Sequence, residues 1–347
     1  MHRTLIDLER VNWPEVLPRL GIDQLYFERP GRSKPCPLHP VKGSTKFRFL
    51  KPYDRCLSVC NDCGVLTPVA LVMAKNGWDW ERLFDALRGS GVPPSPRQVQ
   101  APGPDELARR AAEVRRQFEK MRRWWRAAKS VCMGDSSARR YLERRIPRIA
   151  AAELGSDLRA HPGMSYYDDA GPEPKWTQWP ALLALFRDAD GEVHHIHRIY
   201  VKPDGTSKAP VESPRKMFVP GEWVPGCAVR VGHAADSRPR VIGVAEGVEK
   251  ACAIFTACAE KFPVWAAGSA DNLAVLQIPD YVEVVHIFAD HNLATAGHPR
   301  GHGQEAAEAL ANRLRAQGRK VSVRVARTPG GDHEDDWLAM ASSEASA

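Results

Sequence analysis

No apolar run in the chain approaches the roughly 20 residues a membrane helix needs. The start, MHRTLIDLER, has no secretory-signal core. Both absences lead us to expect a cytoplasmic protein with no membrane partner. Cysteine is sparse: eight in 347 residues do not make a disulfide scaffold, and fit metal ligands or buried thiols in a reducing compartment. A G-x-x-x-x-G-K-[ST] segment is missing, so these residues carry no P-loop motor. Internal repeats are missing too.

What is present is basic, and unevenly so. The formal net charge is +7. Between Asp105 and Arg148 there are 14 Lys or Arg against 6 Asp or Glu, and the remainder is nearly neutral. A concentrated basic segment suits a polyanionic partner, although a solvated helix face has the same composition. Apolar residues recur at Leu107, Ala111, Val114, Phe118, Met121, Trp125 and Ala128, which predicts an amphipathic helix docked on the protein's own core.

Three textures divide the chain. Residues 1–91 hold four cysteines and predict a small domain, followed by a Pro-rich linker and the basic helix over 92–135. From about residue 136, strands and helices alternate. WPALLALFRDADGEVHHIHRIYV reads as two strands around Asp190-Gly191. RVIGVA, FPVWAAG, VEVVHIFAD and KVSVRVA read as short buried strands, with helices over 247–260 and 304–317 between them. Near-continuous apolar strands interleaved with helices predict a multi-domain α/β protein whose parallel sheet is flanked by helices. Domain boundaries are expected at 136–235 for an α+β subdomain and 236–340 for the parallel sheet, with a disordered tail over 341–347.

CPLH at Cys36–His39 and CNDCG at Cys60–Gly64 form two knuckles 20 residues apart. Cys36, His39, Cys60 and Cys63 supply the four soft or borderline ligands of a closed, structural Zn²⁺ site, with Cys56 as a spare thiol or a substitute ligand. Between the knuckles, Lys46, Arg48 and Lys51 alternate with Phe47 and Phe49. The cations suit nucleic-acid phosphates, while the aromatics of a ribbon face its small core.

Carboxylates recur after the apolar strands: Glu246 after VIGVA, Asp290 after VVHIFA, and Asp335 with Asp336 in GGDHEDDW. Ligands of a parallel sheet bind beyond the carboxyl ends of its strands, and converging acids there can hold Mg²⁺ or Mn²⁺. Any one of them alone is also the ordinary polar end of a strand.

CPLH…CNDCG followed by VALVMAKNGWDWERLFDAL resembles the zinc ribbon of DnaG-type bacterial, phage and plasmid primases. AEGVEKA, FADHN and DDW resemble the acidic motifs of their Toprim catalytic domain. FRDADGEVHHIHRIYV with SKAPVESPRK is similar to the basic subdomain before it, and GHGQEAAEALANRLRAQGRKVSVRV resembles the Toprim primases of mobile elements in particular. The resemblance implies templated synthesis of short RNA primers on single-stranded DNA from nucleoside triphosphates, with unwinding left to a separate replicative helicase. It assigns catalysis to Glu246, Asp290, Asp335 and Asp336. It assigns magnesium ligation to Glu246, Asp290, Asn292 and Asp336, and template or nucleotide contacts to Arg198, Lys208 and Lys216. Asn292 stands where the family has the second acid of an Asp-x-Asp pair; an amide oxygen there can ligate but removes one negative charge. A non-catalytic single-strand-binding accessory protein on a degenerate Toprim fold, or a Toprim nuclease, would carry much of the same pattern.

Overall fold

The computed structural model describes residue 8 and residues 11–39, 47–50, 53–60, 63–89, 104–149, 151–168, 175–233, 237–295 and 298–345. The chain divides into two compact units, split before Pro104.

In the first unit, helices α1 (Trp13–Arg19) and α2 (Leu25–Glu28) precede a three-stranded antiparallel sheet of β1 (Arg48–Phe49), β2 (Ser58–Cys60) and β3 (Gly64–Leu66). Helices α3 (Pro68–Asn76) and α4 (Trp80–Gly89) follow. Thr67 starts α3: its hydroxyl accepts the Ala70 N–H at 3.1 Å and Pro68 fills the first helical position, where its missing N–H costs nothing. The core gathers Trp13, Leu17, Ile22, Leu71, Val72 and Leu83 with Phe47 and Phe49, both buried as a ribbon core requires.

The second unit opens with α5 (Pro104–Ala127), β4 (Lys129–Ser130) and α6 (Ser137–Arg145). β5 (Leu158–Asp168), β6 (Lys175–Arg187), β7 (Val193–Tyr200) and β8 (Arg215–Phe218) then form, with β4, a five-stranded antiparallel sheet in sequence order. Both faces of this sheet are covered. One face, including Leu182, Ala184 and Ile199, packs with Tyr141 and Leu142 of α6 and with Val248 and Ala251 further on. The other, including Leu183, Leu185 and Tyr200, packs with Met121, Trp124 and Trp125 of α5.

The remaining elements are β9 (Val229–Val231), β10 (Val241–Ala245), α7 (Val248–Ala257), β11 (Val264–Ala266), α8 (Ala270–Ala274), β12 (Val284–Ala289), α9 (His302–Ala316), β13 (Lys320–Val325) and α10 (His333–Ala345). Their sheet runs β13-β12-β10-β11-β9 and is parallel except for β9 at one edge. Ile242, Val244, Val285 and Ile287 face α8 and α9 and bury against Leu273, Ala307, Leu310 and Leu314. Helices flanking a mainly parallel sheet are the expected α/β class, beside a small β-rich first unit.

Two expectations need correction. The apolar stripe of α5 docks only in its second half: Leu107 is 53% exposed, while Met121 is 3% exposed. A helix of 24 residues reaches about 36 Å, and its packed residues run only from Phe118 to Trp125. The Ser- and Ala-rich end is helical to Ala345, because alanine favours the helix, and the Ser342 hydroxyl is satisfied within it by the Leu338 carbonyl at 2.8 Å.

Candidate metal centres and nucleic-acid contacts

The first centre joins the loop before β1 to the β2–β3 turn. Among the described residues, Cys36, His39, Cys60 and Cys63 are the one group of three or more Cys, His, Asp or Glu whose ligand atoms lie within 4.8 Å of one another. Zn–S bonds of about 2.3 Å in a tetrahedron give S···S edges of about 3.8 Å. The Cys36 and Cys63 sulfurs are 3.8 Å apart, and the Cys60 sulfur lies 3.5 Å from the His39 Nε2. The donor set fits Zn²⁺; these two edges have the tetrahedral spacing, and the His39 Nε2 to Cys63 sulfur edge, at 2.8 Å, is shorter. Cys56 stands outside: its thiol donates to the Tyr53 carbonyl at 3.4 Å, and burial pushes its pKa up to about 12. Arg48 lies on β1 and is half-buried; Lys46 and Lys51 fall outside the described residues.

The second centre lies at the carboxyl ends of β10 and β12. The two strands pair in parallel with Ala245 opposite Phe288, so Glu246 and Asp290 emerge from adjacent strands at one sheet edge. Asp290 is 9% exposed, and its Oδ1 is buried with no hydrogen-bond partner. Its other oxygen contacts the Lys250 ammonium, which projects from the first turn of α7. The Asp332 Oδ2 lies 3.8 Å from the same ammonium. Burial raises the Glu246 pKa; Asp290 raises it further and Lys250 opposes. A buried, unpartnered carboxylate oxygen beside a second carboxylate is an all-oxygen donor set that fits a hard cation such as Mg²⁺.

Asp335 and Asp336 are engaged elsewhere. Asp335 accepts the Asp332 N–H at 3.0 Å, closing the turn into α10, and Asp336 accepts the Arg327 N–H at 3.0 Å. Asn292 turns its amide oxygen to the Gly303 N–H at 2.7 Å, in the first turn of α9. A Cβ on residue 303 would meet that oxygen at 2.6 Å, so this close approach requires glycine. Gln304 reinforces the contact by donating to the Asn292 carbonyl at 2.9 Å. Asn292 thus fastens α9 to the end of β12.

The basic candidates divide between the two faces of the antiparallel sheet. Arg198 and Lys216 are cross-strand partners on the α5 face. The Arg198 guanidinium sits 5.1 Å over the Trp124 ring and donates to the Tyr200 hydroxyl at 3.1 Å. Lys216 stands 3.9 Å over the Tyr166 ring and donates to the Tyr167 carbonyl at 3.2 Å. Lys208 instead reaches α7, its ammonium 3.1 Å from Glu249 Oε1, which also accepts the Tyr141 hydroxyl at 3.3 Å. Burial works against the Glu249 carboxylate, but Lys208 and its other partners hold its pKa down to about 2.

Sequence reasoning missed Lys250, Asp332, Glu249 and Arg215. Lys250 was legible as the residue one helical turn after Glu246; Asp332 had only its place before a helix as a signal. An exposed aromatic pair was also missed: Tyr167 (41% exposed) and Trp176 (71%) face each other across β5 and β6, ring centroids 4.9 Å apart. His195 packs flat on Trp223 at 4.4 Å and bonds the Val224 backbone, which is a structural role.

Beside Glu249, His197 has no hydrogen-bond partner at Nδ1, and burial holds its pKa down to about 4. Glu249 faces it favourably, while Arg215, Arg198 and Lys208 oppose its charge. A depressed histidine is neutral when folded, so its stabilising effect is complete above the ordinary value of about 6.5 and is lost as pH falls toward 4. The slope in that window should reach at most ~1.4 kcal/mol per pH unit. Denaturant midpoints measured from pH 7 to 4.5 should fall less steeply for His197→Gln than for the parent; parallel curves would contradict the assignment.

Two family models match parts of the chain. Residues 241–343 match the Toprim domain, and residues 115–231 match a domain of unknown function (DUF7146). No curated protein matches the chain. Among solved structures, the chain is similar to the zinc-binding and RNA polymerase domains of the Aquifex aeolicus primase, at 14% identity and a TM-score of 0.39, covering 96% of this chain and 84% of that one. It is also similar to the RNA polymerase domain of Mycobacterium tuberculosis primase DnaG, at 18% identity and a TM-score of 0.38, covering 68% and 81%. A third is the primase fragment of the bacteriophage T7 primase-helicase, at 18% identity and a TM-score of 0.32; the match covers 48% of this chain and 61% of the fragment.

Proposed function

From the premise that residues 241–343 are a Toprim domain, we propose that the chain is a DNA primase, a template-directed nucleotidyltransferase that starts short RNA primers on single-stranded DNA. One observation carries the reading: Glu246 and Asp290 leave adjacent parallel strands together, with a buried carboxylate oxygen unpartnered, in a chain that also builds a Cys-His-Cys-Cys group.

In this reading Glu246 and Asp290 hold a divalent cation, with Asp332 as a third carboxylate. Asp335, Asp336 and Asn292 keep that wall in shape through the backbone contacts they make. When bound, the cation supplies charge neutralisation for a triphosphate and lowers the cost of deprotonating an attacking hydroxyl. Lys208 and Arg215 offer positive charge on the α7 side of the sheet, while Tyr167 and Trp176 provide aromatic faces that a single strand can stack on. The zinc-binding unit contributes template contact through its basic residues. A separate helicase supplies unwound template.

The test is incubation of the zinc-loaded chain with single-stranded DNA, labelled ribonucleotides and Mg²⁺ or Mn²⁺. Template-dependent oligoribonucleotides support the proposal. Shortened template in place of product would turn the reading to a Toprim nuclease, and strand binding without either reaction to an accessory protein.

A further inference from the structure

The cluster of carboxylates at the sheet edge is already partly neutralised by the chain itself. The Lys250 ammonium touches Asp290 and lies 3.8 Å from Asp332, and its side chain is only 13% exposed. The residue is fixed in place by its position: Glu246 directly follows β10, Gly247 caps the next helix, and four residues after Glu246 the first turn of α7 returns Lys250 to the same side. A divalent ion bound at the free Oδ1 of Asp290 would share the carboxylate with this ammonium on Oδ2. Two cations on one carboxylate at contact distance repel strongly in a site this enclosed.

We propose that Lys250 is a resident counter-ion of the acidic centre, which holds Glu246, Asp290 and Asp332 together without metal and must swing out when a divalent cation enters. Metal uptake is then an exchange of one cation for another. Lys250 sets the affinity, and its four-carbon stem gives the ammonium the freedom to leave. This inference rests on Glu246 and Asp290 being the metal-binding acids.

Two variants of the full-length, zinc-loaded protein test it, with Mn²⁺ binding followed by the resonance of the free ion. Lys250→Met removes the competing charge but keeps the stem; it should bind Mn²⁺ on the order of tenfold more tightly. Its metal-free form should melt lower than the parent, because three close carboxylates have lost their cation, and Mn²⁺ should restore more melting temperature to it than to the parent. Lys250→Arg keeps the charge and should show no gain in affinity. Equal or weaker Mn²⁺ binding by a folded Lys250→Met protein overturns the proposal. Failure of the underlying assignment looks different: Glu246→Gln and Asp290→Asn would then bind Mn²⁺ as the parent does, whereas failure of the exchange alone leaves those two variants impaired.

Discussion

Stripping zinc with a chelator, or replacing Cys60 with Ser, is expected to unfold the first unit while the second stays folded. The reason is the size of what would remain. β1 has two residues, β2 and β3 three each, and α2 four, so regular pairing alone cannot hold the sheet. Cys36 and Cys60 are fully buried members of the core, so the group is part of the packing. Structural zinc in such domains contributes on the order of 10 kcal/mol at neutral pH, most of it folding free energy. Burial, together with the neighbouring thiols, raises the Cys63 pKa, so without an ion the cluster reverts to protonated thiols that hold nothing. Circular dichroism, with limited proteolysis of the chelated protein, reads the outcome. Cleavage should concentrate before Pro104, and a chelated protein as resistant as the parent would show that the four residues do not staple the unit.

Glu246→Gln and Asp290→Asn are expected to lower primer synthesis by roughly a hundredfold to a thousandfold, the scale seen when one electrostatic element of a polar active site is removed. Each exchange is nearly isosteric, so the strand end keeps its shape, and each removes a negative charge from the cation site. Single-turnover extension of a labelled dinucleotide, compared with gel-shift affinity for the same single-stranded DNA, separates chemistry from binding. Loss of extension with binding intact is the expected pair of results. Activity within a few-fold of the parent in both variants would mean that the reaction is carried elsewhere.

The convergence of Cys36, His39, Cys60 and Cys63, and the emergence of Glu246 and Asp290 at one sheet edge, were legible because each depends on local chain. The knuckles are tight turns of fixed spacing, and an acid directly after an apolar run in a β-α-β sequence lies at the carboxyl edge of the sheet whatever the rest does. Asp332 and Lys250 were harder to find, because they meet Asp290 only after β12, β13 and α7 have packed. The orientation of Arg198 was illegible for another reason. Alternation along β7 says that residues 197 and 198 face opposite sides, but both sides are buried, so no polar face marks which one meets the acids. The amide at 292 reads in sequence as a softened metal ligand, whereas its oxygen is already engaged by the Gly303 N–H. In the same way a continuous heptad-like stripe hid the fact that α5 outruns its support.

The first turn of α7 carries two attachments on opposite sides. Glu246 and Lys250 belong to the acidic edge, while Glu249, between them in sequence, is held by Lys208 and Tyr141 from the preceding subdomain. That turn is a shared bearing: torque applied to Glu249 is delivered to the Glu246 carboxylate before it and the Lys250 ammonium after it. Removing Lys208 can therefore silence the protein by two routes, through a lost positive charge or through a centre tilted out of alignment. Only a measurement of metal affinity beside turnover tells them apart.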